Sequence, residues 1–298
     1  MPDDLGRETS LTPDQVRGRL YGNGTSQSFG YDPVSRLTSL TANLAGTTGD
    51  LTINSIGYNP AGGITALTRS NDAYAWTGAA AVNRPYTSNG LNQLTLSGTI
   101  VPTYDGRGNL TSAGTTAYAY SSENMLVSAS GGTSAGLSYD PLGRLYQSSD
   151  GATVRRFQYA PGESGIYEPI SEYDGAGWVQ SHHGFGPGVD EPMFWWDIAG
   201  GGHMRPVHAD ERGSVVAASD ASGNAFATNS YDEYGIPGSG NAGRFQYTGQ
   251  AWLPELGMMA KTSTVWGTVR FRHTTRTAST QPLSAGSCKP TRSDMAMG

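Results

Sequence analysis

The stretch Tyr139-Asp140-Pro141-Leu142-Gly143-Arg144-Leu145 predicts a tight turn between two β-strands. The carboxylate of Asp140 can accept backbone N–H bonds from the residues that follow, and Pro141 presets φ for the second turn position. Gly143 stands fourth, where a type I turn favours glycine or passes into a bulge. Tyr139 and Leu145 suit half-buried strands on either side of that turn.

The same pattern recurs along the chain. Further copies preceded by tyrosine begin at Asp32, Asn59, Asp105, Asp174 and Asp232, and divergent copies lie at 3–7, 89–92 and 121–124. Copies in register are typical of a repeat architecture. Between the turns, segments such as 37–41 and 94–98 alternate apolar and polar residues, as strands with one buried face do. No window sustains the apolar spacing of a helix, so we expect an all-β fold with little or no helix.

The composition agrees with a chain of many strands and turns. Of 298 residues 42 are glycine, and charged residues make up 15% against the usual quarter or so. Tyrosine (16) outnumbers phenylalanine (7), and a disordered chain would lack these aromatics. The net charge of −6 argues against a nucleic-acid partner, which requires a basic face.

The sequence carries no sign of a membrane span or a secretory signal. No stretch approaches eighteen apolar residues, and the N-terminus has no basic region followed by an apolar run. The only cysteine, Cys288, can form no internal disulfide, so we expect strand pairing to supply the stability.

From His182 onward the pattern changes. A loop-rich stretch at 183–192 is followed by the apolar run Met193-Phe194-Trp195-Trp196 and then by 208–216, 219–224 and 231–235. Separately, Arg156-Phe157-Gln158-Tyr159 recurs as Arg244-Phe245-Gln246-Tyr247, and both copies are interpreted as strands before a glycine-containing turn.

The turns and this later region resemble the YD-repeat proteins of the Rhs family, the bacterial polymorphic toxins whose repeats also occur in insecticidal toxin-complex subunits. The resemblance spans about residues 2–257. It implies a spiral of β-hairpins that forms part of a hollow β-cocoon, with the repeat array at 1–180 and the Rhs-associated core region at 181–257. The chain starts inside a repeat, so we expect a fragment of a longer ancestral protein.

The resemblance implies a structural function. In the family the shell encloses and delivers a C-terminal toxin domain, with a secretion apparatus as second partner, in contact-dependent competition between bacteria. We therefore expect a shell fragment without its toxin, prone to self-associate through open sheet edges. The resemblance implies that the full-length family proteins are bacterial and are secreted or delivered by a dedicated secretion system. The alternative is a secreted carbohydrate-binding or adhesive β-repeat protein.

Candidate residues for chemistry fall mainly between 182 and 214. His182, His183, His203 and His208 with Asp210 raise the question of a metal or acid–base site. The adjacent pair His182-His183 points to opposite strand faces and cannot easily share an ion, whereas His208 and Asp210 share one face. In the family this segment belongs to the shell, so a structural role is the expectation.

Other candidates also favour structural roles. Ser214 lacks the Gly-x-Ser-x-Gly elbow of a nucleophile, and the acidic pairs Asp210-Glu211 and Asp232-Glu233 lie in turns. Trp195-Trp196 and Tyr118 with Tyr120 are the candidates for a sugar-stacking platform. The Asp-Pro motif that precedes the family's self-cleaving aspartates is missing from this reading frame. We therefore expect no enzymatic activity, no catalytic, cofactor-binding or metal-binding residues, and no cofactor.

The tail at 258–298 does not match the family. When residues 285–298 are back-translated and read one base earlier, the result is compatible with the string Gly-Arg-Phe-Leu-Gln-x-Asp-Pro, which the family has after its core. The same shift turns residues 274–279 into a string that the family also has. Residues 258–273 are not explained by that shift. We interpret the tail as a frameshifted, pseudogene-like end, and we expect it to be disordered.

Overall fold

The computed structural model describes residues 7–8, 11–12, 15–78, 85–160, 168–232, 234–261, 270–273, 276–277 and 281–282. Within these ranges the protein consists of antiparallel β-strands joined by short turns. Two short 3₁₀ helices, Asp72–Tyr74 and Tyr247–Gly249, are the only helical segments there. The all-β prediction is confirmed.

The chain divides into two compact units that interleave in sequence. The first contains Met1–Ala79 and Phe157–Ala251, and the second contains Ala80–Arg156 and Trp252–Gly298. The strands of the first unit are Arg7–Glu8, Leu11–Thr12, Gln15–Val16, Gly18–Leu20, Ser26–Tyr31, Leu37–Asn43, Leu51–Tyr58, Ile64–Arg69, Pro169–Asp174, Val179–Phe185, Pro192–Asp197, His203–Ala209, Val215–Ser219 and Ala225–Thr228. Those of the second are Tyr86–Ser88, Leu94–Ser97, Thr103–Tyr104, Leu110–Ala113, Thr116–Tyr120, Leu126–Gly131, Ala135–Tyr139, Leu145–Ser149, Met258–Lys261, Arg270–His273, Arg276–Thr277 and Gln281–Pro282. Val154–Tyr159 and Ala251–Leu253 each begin in one unit and end in the other.

The predicted turn is a single structure repeated along the chain. In the copy at Asp140, its backbone N–H donates to the Arg144 carbonyl (2.9 Å), while Oδ1 accepts from the N–H groups of Leu142 and Arg144 (2.9 Å each). Gly143 has a φ of 76°, and Ser138 pairs with Gln147 before Tyr139 pairs with Leu145 across a bulge. This is a type I turn closed by a left-handed residue and a bulge.

Ten turns in the described part of the chain share this geometry. In every one the first residue exchanges backbone hydrogen bonds across the loop, its side-chain oxygen accepts the N–H four residues on, and the fourth residue has a positive φ. The first residues are Asp32, Asn59, Asn89, Asp105, Ser121, Asp140, Asp174, Asp210, Asp220 and Asp232. Two of these, Asp210 and Asp220, were not counted as repeats from the sequence. The copy at 3–7 lies outside the described residues except for Arg7.

The tyrosine that precedes a turn binds the neighbouring strand. The hydroxyl of Tyr139 donates to the carbonyl of Leu126 (2.7 Å), that of Tyr58 donates to Leu37 (2.6 Å) and that of Tyr231 donates to Val215 (2.5 Å). Each acceptor is the first residue of the adjacent strand, five residues after the start of an earlier turn. Phenylalanine cannot donate this bond, which gives a physical reason for tyrosine at this position.

The core of the first unit joins residues far apart in sequence. Leu40 pairs with Ile53 and Ala42 with Leu51, so that alternate residues of two neighbouring strands form one buried face. Val216 packs against this face from the strand Val215–Ser219, in which every residue is buried. The strand Val215–Ser219 therefore packs on the hairpin strands Leu37–Asn43 and Leu51–Tyr58 of the same unit.

Polar side chains fix this packing. Tyr21 donates its hydroxyl to the Val207 carbonyl (3.0 Å), Gln27 donates an amide hydrogen to the Ala209 carbonyl (2.9 Å), and Asn23 donates to the Asp220 carbonyl (2.7 Å). These bonds tie residues 21–27 to residues 207–220, and a hydrogen bond of this kind contributes about 0.5–1.5 kcal/mol.

Two expectations meet a different structure. The copy 156–159 lies in the strand Val154–Tyr159, but 244–247 does not form a strand: only Phe245 forms a bridge, with Ala251, and Gly243 and Gly249 have positive φ. In the tail, Met258–Lys261 is a strand paired with Arg270–His273, and Met258 is buried, although disorder was expected there. Residues 283–298, which include Cys288 and the frameshift string, lie outside the described residues, and the domain boundaries stay predictions.

Candidate functional site

The most buried ionic group of the first unit joins Glu172, His183 and Arg244. Glu172 lies on the strand Pro169–Asp174, and both of its oxygens accept from Arg244, Oε1 from Nε (2.7 Å) and Oε2 from Nη2 (2.8 Å). His183 Nε2, on the next strand, lies 3.1 Å from Oε1. The side chains are only 2–10% exposed.

The electrostatics of this group favour a permanently charged carboxylate. Burial alone would raise the pKa of Glu172, but the charge and hydrogen bonds of Arg244, with the hydrogen bond from His183, hold that pKa well below its usual range. Arg244 also stacks on Phe157, and His183 packs edge-on against Phe245 with 5.0 Å between the ring centroids. A carboxylate whose oxygens are both engaged in this way suits a structural lock between 169–185 and the segment at 244–245.

His208 and Asp210 do not form a joint site: His208 lies in the strand His203–Ala209, and Asp210 begins the turn that follows it. His208 is fully buried against the edge of Tyr21, with its Nε2 3.5 Å from Ser219 Oγ, and burial lowers its pKa to about 4. Asp210 Oδ1 accepts from the N–H groups of Arg212 and Ser214 in its own turn. Burial, and next the neighbouring Glu211, raise the pKa of Asp210. Among the described residues no group of three or more His, Cys, Asp or Glu side chains could hold a metal ion.

The other histidines and the serine also have separate partners. His182 Nδ1 lies 2.7 Å from the Ser171 hydroxyl, and the adjacent His183 turns to Glu172, in agreement with opposite faces. His203 is exposed near the start of the strand His203–Ala209. Ser214 is fully buried, and its Oγ accepts the N–H of Thr248 (3.1 Å), which is a structural position for a hydroxyl.

The acidic pairs lie in turns, as expected. Glu211 binds Arg69 (3.0 Å), whose Nη2 also lies 3.5 Å from Asp210 Oδ2. Asp232 closes its own turn by accepting from the N–H groups of Tyr234 and Ile236, and Glu233 lies outside the described residues.

The aromatic candidates do not share one platform. Trp195 packs on the buried cluster of Val207, Val215 and Ala218, while its neighbour Trp196 is 43% exposed on the other side of the strand. Tyr118 is buried in the second unit, where desolvation raises its pKa.

Three features were missed by the sequence interpretation: the lock at Glu172, an ion pair between Arg19 and Glu191, and Arg205. Arg205 lies opposite Trp195 on the neighbouring strand, and its guanidinium stacks 3.7 Å above the ring of Phe226. The available signal in the sequence was a charged residue among the uncharged residues Met204, Pro206 and Val207.

Comparison with known proteins gives a fold likeness alone. No protein-family model matches the chain, and no curated protein matches it either. Among solved structures, the crystal structure of TcdB2-TccC3-Cdc42 aligns over 87% of this chain with a TM-score of 0.54 at 13% identity. A mutant Photorhabdus luminescens Tc holotoxin pore aligns over 95% with a TM-score of 0.55, also at 13% identity. The chain spans 18% of the length of each of these two chains.

Within the part of the chain that is described, no helix has the length and apolar character needed to cross a membrane.

Proposed function

We propose that this chain is a structural part of an Rhs/YD-repeat β-shell that encloses a toxin polypeptide and takes part in its delivery. The observation that carries the proposal is the repeated turn: ten hairpin ends share one geometry, and three tyrosine hydroxyls bind adjacent strands in the same way. Such repetition builds a continuous wall of hairpins from local contacts.

The fold likeness supports the same proposal. Two solved structures that align with TM-scores of 0.54 and 0.55 contain TcdB2-TccC3 or a Tc holotoxin pore, and the repeat resemblance independently points to insecticidal toxin-complex subunits among its families. At 13% identity the likeness speaks for architecture, so the toxin and the bacterial secretion apparatus as partners belong to the proposal.

The proposal assigns no enzymatic activity to this chain. Several residues that the sequence raised for chemistry are engaged in turns or core contacts, as the side chains of a wall would be: Ser214 and Asp210 accept backbone N–H groups, and His208 packs against Tyr21. A hydrolase and metal screen of the purified chain should therefore find neither turnover nor bound metal.

Protease protection tests the function. The protein should be expressed from its own genomic locus, with the polypeptide that the locus encodes after the shell, and treated with protease before and after mild unfolding in urea. We expect that polypeptide to resist cleavage while the shell is folded and to be degraded once the shell unfolds. Cleavage of the polypeptide at equal rates in both states would contradict the proposal. Glycan-array binding that depends on Trp196 would favour the adhesive alternative instead.

A further inference from the structure

Four arginines stack on aromatic rings in the described residues of the first unit, and three of them also bind a carboxylate. Arg19 stacks on Phe29 and pairs with Glu191, Arg36 stacks on Tyr58 and pairs with Asp32, and Arg244 stacks on Phe157 and pairs with Glu172. A stacked guanidinium with a carboxylate at its edge is therefore a recurrent arrangement in this protein.

Arg205 is the fourth stacked arginine, and the described residues offer it no carboxylate. Its guanidinium carbon lies 3.7 Å from the centroid of Phe226, a shorter distance than in the other three pairs. The residue is 8% exposed, and its Nε is buried without a hydrogen-bond partner. Within the described ranges the two terminal nitrogens of Arg205 donate no hydrogen bond. Unlike Nε, they are not fully buried, so solvent can reach them.

Without a ligand, the burial of the Arg205 guanidinium costs more free energy than its contact with Phe226 contributes. Removing a guanidinium from water costs several kcal/mol, whereas a cation–π contact returns roughly 0.5–2 kcal/mol. The neighbouring aromatics supply an apolar bed beside the charge: Phe226 is 45% exposed, and Trp195 lies edge-on to it with 6.2 Å between the ring centroids. A carboxylate from outside would complete the arrangement that Arg19, Arg36 and Arg244 complete internally.

We propose that Arg205, Phe226 and Trp195 form a docking site for an acidic polypeptide segment, in which a Glu or Asp carboxylate binds the Arg205 guanidinium and an adjacent apolar side chain rests on Phe226. The three internal examples use Asp or Glu carboxylates, which is the reason to choose a polypeptide. The identification of that polypeptide as the enclosed toxin chain rests on the proposed function, whereas the carboxylate chemistry of the site does not.

Peptide binding to the full chain tests this site. The probe is a blocked five-residue peptide with two glutamates around a leucine, and its partner replaces both glutamates by glutamine. We expect the glutamate peptide to bind at least about tenfold more tightly, because a bidentate charge-assisted pair exceeds 1.4 kcal/mol. Equal affinities, or no binding of the glutamate peptide up to about 5 mM, would overturn the inference.

Variants locate the binding. Arg205→Met, which keeps an apolar stem over Phe226, should weaken the glutamate peptide about tenfold and leave the glutamine peptide unchanged. Arg36→Met is the matched control, because Arg36 is also stacked but already holds Asp32, and it should leave peptide affinity unchanged. Loss of affinity for the glutamate peptide in both variants, or in neither, would overturn the assignment. Binding of glucuronate, a sugar carboxylate, in place of the peptide would also overturn it.

The fold and the proposed function can be separated from this result. The thermal midpoint of Arg205→Met should be no lower than that of the native chain, since the variant removes a buried charge without a partner; a large drop would instead indicate a structural arginine and overturn the inference. If the polypeptide is protected from protease but the chain shows no preference for the glutamate peptide, only the docking site is refuted. If Arg205 discriminates between the peptides but the polypeptide is not protected from protease, only the proposed function is refuted.

Discussion

His208 should make the first unit lose stability in mildly acidic solution. Its side chain is fully buried, its Nδ1 has no hydrogen-bond partner, and burial lowers its pKa from 6.5 to about 4. The unfolded chain therefore binds the proton more readily than the folded chain between these two pH values. Stability is fully present above pH 6.5 and is lost as the pH falls toward 4.

The magnitude follows from the two pKa values. Linkage between a folded pKa of about 4 and an unfolded pKa of 6.5 gives a loss of about 2 kcal/mol between pH 7 and pH 5, and about 3 kcal/mol once both states are protonated. The variant His208→Gln has no titrating group at this position. Its loss of unfolding free energy between pH 7 and pH 5 should therefore be about 2 kcal/mol smaller than the loss in the native chain.

Urea unfolding at pH 7 and pH 5 measures this difference. Other groups, including Asp210 with its raised pKa, titrate in both proteins, so the comparison of native chain and variant isolates His208. His203→Gln is the control for the substitution itself, since it makes the same change at an exposed position at the start of the same strand. Equal pH dependence in the native chain and in His208→Gln would refute the argument that His208 is buried in its neutral form.

Three further predictions concern the turns and the lock. Gly143→Val should lower the free energy of unfolding by at least about 1 kcal/mol, because φ is 76° at this position. Gly106→Ala is the control: no atom lies within 4 Å of the added Cβ, so the free energy of unfolding should change by under about 0.5 kcal/mol. A Gly143→Val variant as stable as the native chain would argue against the turn. Tyr139→Phe should lower the free energy of unfolding, measured by thermal unfolding, by about 1 kcal/mol, since it removes the hydrogen bond to the neighbouring strand. Tyr146→Phe is the control: Tyr146 is exposed, so its replacement should have no measurable effect. Equal losses in the two variants would contradict the role of the hydroxyl. Glu172→Gln should cost about 3–5 kcal/mol in urea unfolding because it leaves a buried arginine without its carboxylate, and a loss below about 1 kcal/mol would show that the lock is not structural.

The turns could be predicted from the sequence because their causes are local. A residue such as Asp140 meets its acceptors and donors within four positions, and Gly143 carries the positive φ that the turn requires. The same signal stands at Asp220, where glycine again comes three positions later, and it was overlooked because no tyrosine precedes it.

The tyrosine bonds could also have been anticipated in part. The repeat places Tyr139 directly before a turn and Leu126 directly after an earlier one, so their meeting follows from antiparallel pairing of neighbouring strands. What the pattern does not show is that the hydroxyl, and not the ring alone, makes the contact.

The long-range ionic contacts could not be predicted because their partners are distant in sequence. Glu172 and Arg244 are separated by 72 residues, and Arg19 and Glu191 by 172. Such pairs depend on how hairpins pack, which a period-two pattern does not specify. The same limit explains why 244–247 was interpreted as a strand: its sequence matches 156–159, but Arg244 is drawn to Glu172 and glycines on both sides turn the backbone.

Electron cryomicroscopy of the protein expressed from its whole genomic locus is the decisive experiment on the proposed shell. If the proposed function is right, the hairpins of residues 18–228 form part of a continuous wall around a lumen, with density for a polypeptide inside it. A solid β-sandwich without a lumen, or an empty shell with the downstream polypeptide folded outside it, would refute the proposed function.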